Sequence, residues 1–63
     1  MDPDKAFETL VDLEGCLPMA DRDEAAAALA DWLKRGGFPP TGMTRTETFA
    51  AIRAYREIRQ RRR

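Results

Sequence analysis

A segment rich in glycine and proline, residues 36–43, limits what this chain can fold into. Its sequence is Gly-Gly-Phe-Pro-Pro-Thr-Gly-Met. Pro39 and Pro40 fix φ and supply no amide donor, so the segment cannot continue a helix and is expected to be an extended connector. The helical patterns on either side of it must therefore belong to separate elements.

Two helices are predicted before the connector. Asp2 followed by Pro3 supplies a carboxylate cap and a proline at the first helical position, and the apolar spacing that follows predicts a helix at about residues 3–15. A stretch rich in alanine predicts a second helix at about residues 22–35. Asp21 is the expected cap of this second helix, with Glu24 in a capping-box position.

A third helix is predicted after the connector, at about residues 45–60. Thr44 and Glu47 have the spacing of a capping box, in which each side chain bonds the backbone amide of the other residue. The prediction is an all-α fold, with residues 1–63 forming one small three-helix domain. Residues 61–63, the basic end of the chain, are expected to fray.

The predicted core consists of apolar side chains that share a helix face. A chain of 63 residues buries a smaller fraction of its surface than a long chain does, so a lone monomer is marginal and self-association is one way to bury more. The predicted stripes are Phe7, Leu10 and Leu17 in the first helix, Leu29, Trp32 and Leu33 in the second, and Phe49, Ile52, Tyr55 and Ile58 in the third.

Missing residue types exclude several kinds of catalytic site. The chain has no His, Ser or Asn, which rules out a His-dependent triad, a His-ligated zinc site and an imidazole base. The acids Asp21, Asp23 and Glu24 lack the spacing of a calcium loop, and no phosphate-binding loop is present. We therefore predict no enzyme activity, no cofactor, no metal and no small-molecule substrate.

The single cysteine and the composition of the first residues bear on location. Cys16 cannot form an internal disulfide, which favours a reducing compartment. Its neighbour Leu17 and the absence of histidine favour a buried, inert thiol. The acidic first residues do not resemble a signal peptide, and no apolar run is long enough to span a bilayer. A cytoplasmic protein without membrane contact is expected.

Charge is distributed unevenly along the chain. Residues 1–43 carry a net charge of −5 and residues 44–63 a net charge of +5. The predicted last helix would place Arg53, Arg56, Gln60 and Arg63 along one side, a pattern that suits a phosphate backbone. Basic residues at a helix C-terminus also complement the helix dipole, so a purely structural role competes with binding. The candidate binding residues are Arg53, Arg56, Arg59, Arg61, Arg62 and Arg63.

A row of acids offers a different partner for those arginines. Asp4, Glu8 and Asp12 follow one another at i, i+4 spacing in the predicted first helix. Like charges at this spacing destabilise a helix by roughly 0.2–0.5 kcal/mol per pair, a cost that falls when a cationic row lies opposite. The acidic row and the arginines could pair within one chain or between two chains. A helix-turn-helix is disfavoured, because the connector is long and the arginines cluster at the far end of the last helix.

Trp32 and the connector residue Phe38 are the candidate aromatic anchors. Trp32 is expected to pack against the connector and close the core, with its N–H near the surface. The functional alternative is an exposed aromatic anchor for a partner. Taken together, the sequence favours a non-enzymatic interaction module acting through protein–protein association, self-association included. Binding of RNA or DNA by the C-terminal arginines is the alternative.

Overall fold

A computed structural model describes residues 1–61 and contains three helices in that part of the chain. They are α1 (Pro3–Val11), α2 (Met19–Lys34) and α3 (Arg45–Arg61). The predicted all-α fold of three helices is confirmed. No helix in the described range is long and apolar enough to cross a membrane.

The first helix is shorter than predicted, ending at Val11 instead of near residue 15. Asp12 follows it in the left-handed conformation, with φ at 45°. Its carboxylate accepts hydrogen bonds from the backbone amides of Cys16 and Leu17, each at 3.2 Å. The side chain of Asp12 thus holds the chain in a turn, and Leu17 falls outside the helix.

The second helix starts earlier than predicted, at Met19, and ends at Lys34. Pro18 occupies the cap position, and no side chain makes a capping hydrogen bond there. Asp21 therefore lies inside the first turn, where its charge complements the helix dipole, and it is not the cap. Pro18 is itself extended, and its carbonyl accepts the first hydrogen bonds of the helix, from the amides of Asp21 at 3.1 Å and Arg22 at 3.3 Å.

The third helix begins with the predicted capping box. The Thr44 amide donates to Glu47 Oε1 at 2.8 Å, and the Glu47 amide donates to Thr44 Oγ1 at 3.1 Å. Thr48 is fully buried one turn further, and its hydroxyl donates to the Thr44 carbonyl at 2.9 Å. The beginning of α3 is therefore fixed by both local caps and burial.

The core lies mainly between α1 and α2, and the middle of α3 covers it. The described chain measures 33 × 20 × 18 Å along its principal axes. The buried hydrophobic side chains are Leu10, Ala25, Ala26, Leu29, Ala30, Leu33, Ile52 and Tyr55.

Two residues predicted to be core are exposed. Leu17 is 40% exposed because the early end of α1 places it in the following loop. Ile58 is 53% exposed. At about 100° per residue, Ile58 lies about 60° around α3 from Tyr55, on the side away from Ile52. The packed face of α3 thus excludes Ile58.

The connector before α3 is held against the helices by side chains. Trp32 Nε1 donates to the Phe38 carbonyl at 2.8 Å. Arg45 donates to the carbonyls of Leu33, at the end of α2, and of Gly37, the latter at 3.2 Å. A side chain at Gly37 would overlap the Trp32 indole, so glycine is required there for the close approach.

Candidate interaction surfaces

One of the candidate arginines is committed to another helix. Arg59 of α3 binds Asp23 of α2 through two parallel contacts, Nε to Oδ1 at 3.0 Å and Nη2 to Oδ2 at 2.8 Å. The Tyr55 hydroxyl also donates to Asp23 Oδ1. Arg22 adds a guanidinium 4.9 Å from the centre of the Tyr55 ring. These four residues, the Asp23 cluster, join α2 to α3.

The cluster shifts the ionisation of its members. The hydrogen bond from Arg59, followed by that from Tyr55, holds the pKa of Asp23 below its ordinary value of 3.8, and partial desolvation opposes this shift. Burial, and then the bond to Asp23, raises the pKa of Tyr55 above its ordinary value of 10.0. The same carboxylate raises the pKa of Arg59. Asp23 and Arg59 are therefore ionised together near neutral pH, and Asp23 offsets the charge of Arg59.

The exposed arginines of α3 form a shorter surface than the sequence suggested. Arg53, Arg56 and Gln60, here called the basic edge, are exposed on one side of α3, and in residues 1–61 neither arginine has an ion pair. Arg61 is also exposed but lies elsewhere around the helix. Arg62 and Arg63 lie outside the described residues.

The predicted acidic row is largely occupied by contacts within the chain. Asp4 accepts hydrogen bonds from the Thr41 amide at 2.6 Å and the Thr41 hydroxyl at 2.8 Å. Asp12 is bonded to the amides that follow α1, as described above. Glu8 is exposed, and within the described part of the chain none of the three pairs with an arginine of α3. Asp4 therefore stabilises the connector and Asp12 the turn, whereas Glu8 has neither role.

A concave surface lies at the C-terminal end of α1 and has a volume of about 410 Å³. We call it the acidic hollow. Its apolar lining includes Val11, Leu13 and Leu17, and Leu13 is 93% exposed. Glu8 and Glu14 supply carboxylates. The hollow thus presents unburied leucine between acidic groups.

The electrostatics of the acidic hollow favour cations. Lys5 is the one basic side chain among its lining residues, against Glu8, Asp12 and Glu14. The last turn of α1 has no basic residue, so the negative end of its dipole is not offset locally. Cys16 also lines the hollow and is exposed, which corrects the expected buried thiol.

The two aromatic candidates have different surroundings. Trp32 is half-buried, and its N–H is committed to the Phe38 carbonyl. The rings of Trp32 and Phe38 meet edge to face, with centroids 5.5 Å apart. Phe38 is 65% exposed. The indole therefore holds the connector, while Phe38 presents an aromatic face to solvent.

Sequence reasoning missed the Asp23 cluster and the acidic hollow. Asp23 and Arg59 are 36 residues apart, and no local pattern links them. The hollow exists because α1 ends early, at Val11. In the sequence, Asp12 followed by Gly15 could have indicated this early end. Within the described residues, no group of three or more acids or cysteines is placed to hold a metal ion.

Comparisons with known proteins return no similarity. No protein-family model matches the chain, and no curated protein or solved structure resembles it significantly.

Proposed function

We propose that this protein is a non-enzymatic interaction module that binds a basic amphipathic helix of a partner protein in the acidic hollow. The observation that carries the proposal is Leu13, a large hydrophobic side chain that is 93% exposed at the edge of a concave surface.

Apolar surface in the hollow supplies a driving force for binding. Leu13 and Leu17 lie in one lining, and Leu17 is 40% exposed. Burying a leucine side chain fully is worth about 1.5–3 kcal/mol. An amphipathic helix places anchors at i, i+3 or i+4, which lets successive apolar side chains enter one groove. Two neighbouring leucines in a hollow suit that mode of binding.

The charge of the hollow supports a basic partner. Glu8 and Glu14 are exposed and, within residues 1–61, neither takes part in an ion pair. Arginine or lysine beside the apolar anchors of a partner helix would meet these carboxylates and the C-terminal end of α1. Charge complementarity of this kind speeds encounter and rejects acidic partners.

The binding experiment uses a fluorescently labelled, alanine-based helical peptide with a leucine stripe flanked by arginines. Anisotropy should report saturable binding to the wild-type protein. The double substitution Leu13→Ser with Leu17→Ser should weaken binding at least about tenfold, which corresponds to about 1.4 kcal/mol. Phe38→Ser is the matched control, because it removes an exposed hydrophobic side chain outside the hollow.

Charge reversal tests the electrostatic part of the proposal. Glu8→Lys with Glu14→Lys should abolish binding of the arginine peptide and permit binding of a peptide with glutamate in place of arginine. Equal binding of both peptides to the wild-type protein would contradict the proposed basic partner. Unchanged affinity after the two leucine substitutions would contradict the proposed site.

A second candidate function is binding of a nucleic-acid backbone by the basic edge. The supporting observation is that Arg53 and Arg56 are exposed on one side of α3 without an ion pair in residues 1–61. Arginine binds phosphate through two oxygens at once, and each neutralised phosphate releases counterions.

A gel-shift experiment separates this candidate from protein binding. Arg53→Gln with Arg56→Gln should remove binding, while Lys34→Gln with Arg35→Gln, an equal loss of charge at the C-terminal end of α2, should retain it. Wild-type affinity should fall steeply with salt. Absence of a gel shift at low salt would contradict nucleic-acid binding by the basic edge.

A further inference from the structure

One flank of α3 is covered by no other part of the described chain. It carries five exposed residues, which we call the α3 stripe: Glu47, Ala50, Ala54, Ile58 and Arg61. Three members of the stripe are spaced seven residues apart: Glu47, Ala54 and Arg61. Each therefore lies only about 20° around the helix from the one before it. Ala50 and Ile58 lie four residues before and after Ala54. The stripe is therefore centred on Ala54.

Ile58 is the large side chain of the stripe and is 53% exposed. In helix pairs a side chain of this kind inserts between four residues of the facing helix, at positions i, i+3, i+4 and i+7. The same flank of α3 contains such a set, which consists of Glu47, Ala50, Ala51 and Ala54. Three small alanine side chains leave room for isoleucine. The α3 flank thus has both the inserting side chain and a space for it.

We infer that this flank binds the same flank of a second copy, with the two α3 helices antiparallel and a two-fold axis at Ala54. Ile58 of each copy then enters the alanine-lined space of the other, and the two Ala54 residues face each other. The contact is isologous, so one set of residues serves both copies and the assembly closes as a dimer.

Charge fixes the antiparallel direction. Glu47 and Arg61 are each seven residues from Ala54, about 10.5 Å along the helix at 1.5 Å per residue. In the antiparallel pair Glu47 of each copy therefore faces Arg61 of the other. One carboxylate oxygen of Glu47 accepts from the Thr44 amide, and the second oxygen remains available. A parallel pair would place glutamate against glutamate and arginine against arginine, which is unfavourable.

This surface is separate from the acidic hollow, so self-pairing through α3 does not depend on the proposed function. The hollow lies at the end of α1, and none of its lining residues belongs to α3.

Disulfide cross-linking tests the arrangement residue by residue. In a Cys16→Ser background, Ala54→Cys should form a covalent dimer rapidly under mild oxidation, because the two positions face each other. Ala50→Cys alone should cross-link slowly, since its two copies lie about 12 Å apart along the pair at 1.5 Å per residue. A mixture of the Ala50→Cys and Ile58→Cys proteins should give the mixed dimer. Arg53→Cys is the control for random collision, because Arg53 is exposed and lies about 100° around α3 from Ala54, off the stripe.

The pattern of rates decides the inference. Cross-linking of Ala54→Cys no faster than of Arg53→Cys would overturn the pairing. Equal rates for Ala50→Cys and Ala54→Cys would overturn the antiparallel direction, because every stripe position faces itself in a parallel pair. Circular dichroism of each variant confirms that the helices are retained.

Charge substitution provides a measurement that needs no cysteine. Arg61→Glu should raise the dimer dissociation constant at least about fivefold in analytical ultracentrifugation, because it places two glutamates together. Arg53→Glu makes the same charge change off the stripe and should leave the constant unchanged. A monomeric mass of the wild-type protein at millimolar concentration would also overturn the inference.

Discussion

At the scale of single residues, Asp23 of α2 holds α3 in place through its side chain. It lies in the first half of α2 and accepts hydrogen bonds from Tyr55 and Arg59, one turn apart on α3. The Asp23 and Arg59 side chains are 43% and 39% exposed, so solvent screens part of their attraction. The two parallel contacts to Arg59 still fix where α3 lies against α2, because the planar guanidinium restricts their geometry.

Removing the charge of Asp23 should lower stability and alter its dependence on pH. The pKa of Asp23 is lowered in the folded chain, so its contribution is present above the ordinary value of 3.8 and is lost as the pH falls below it. We expect Asp23→Asn to lower the melting temperature at neutral pH and to lose less stability on acidification than the wild type.

Thermal denaturation followed by circular dichroism between pH 2 and pH 7 measures both effects. Asp31→Asn is the control, because it removes an exposed ion pair with Arg35 on the same helix and should change the melting temperature little. Wild-type and Asp23→Asn curves that run parallel below about pH 4 would contradict the role given to Asp23.

Gly37 is the residue that lets the connector reach the indole of Trp32. A β-carbon there would overlap the ring, so we expect Gly37→Ala to displace Trp32 and weaken its hydrogen bond to the Phe38 carbonyl. We expect a loss of about 1–3 kcal/mol in the free energy of unfolding, the range for overpacked sites. Urea denaturation measures it, and a red-shifted Trp32 emission should accompany the loss. An unchanged emission maximum and midpoint would show that the contact is dispensable.

At the scale of elements, the ends of the helices could be predicted where they are determined by residues close in sequence. The sequence correctly predicted the capping box of α3 and the start of α1 at Pro3, because each depends on residues close in sequence. The end of α1 was wrong because Asp12 adopts a left-handed conformation and bonds amides four and five residues ahead. Apolar spacing through Leu13 and Leu17 could not reveal that turn.

The capping box gives an element-scale prediction. Thr44→Ala removes the acceptor for the Glu47 amide and should lower the free energy of unfolding by about 1 kcal/mol, within the usual range of about 0.5–2. Thr46→Ala is the matched control, because Thr46 is exposed in the first turn of the same helix. Urea denaturation of both variants makes the comparison. Equal midpoints for the two would contradict the assigned cap.

At the scale of the whole molecule, hydrophobic residues divide between a small core and surfaces without a partner. Leu29 and Leu33 are fully buried, whereas Leu13 and Ile58 are mostly exposed. Sequence periodicity identified most core residues but could not locate the exposed ones, because exposure depends on where α1 ends and how α3 is rotated. The opposite charges of the two halves were visible in sequence, yet their actual pairing through Asp23 and Arg59 depends on the fold.

Buried and exposed leucines should therefore respond differently to substitution. Leu29→Ala should cost about 2–5 kcal/mol in the free energy of unfolding, because it leaves a cavity in a fully buried site. Leu13→Ser should change that free energy by less than about 0.5 kcal/mol. Urea denaturation checks both values. A large loss of stability in Leu13→Ser would mean that Leu13 serves the fold and not a partner.

Binding of a basic amphipathic helix by the acidic hollow, between the end of α1 and the start of α2, is the proposed function of this protein. It is tested most directly by following the backbone amide resonances of the ¹⁵N-labelled protein during titration with the arginine-flanked leucine peptide. We expect saturable shifts concentrated at five lining residues: Glu8, Val11, Leu13, Glu14 and Leu17. Shifts confined to the basic edge of α3, or none at a large excess of peptide, would contradict it.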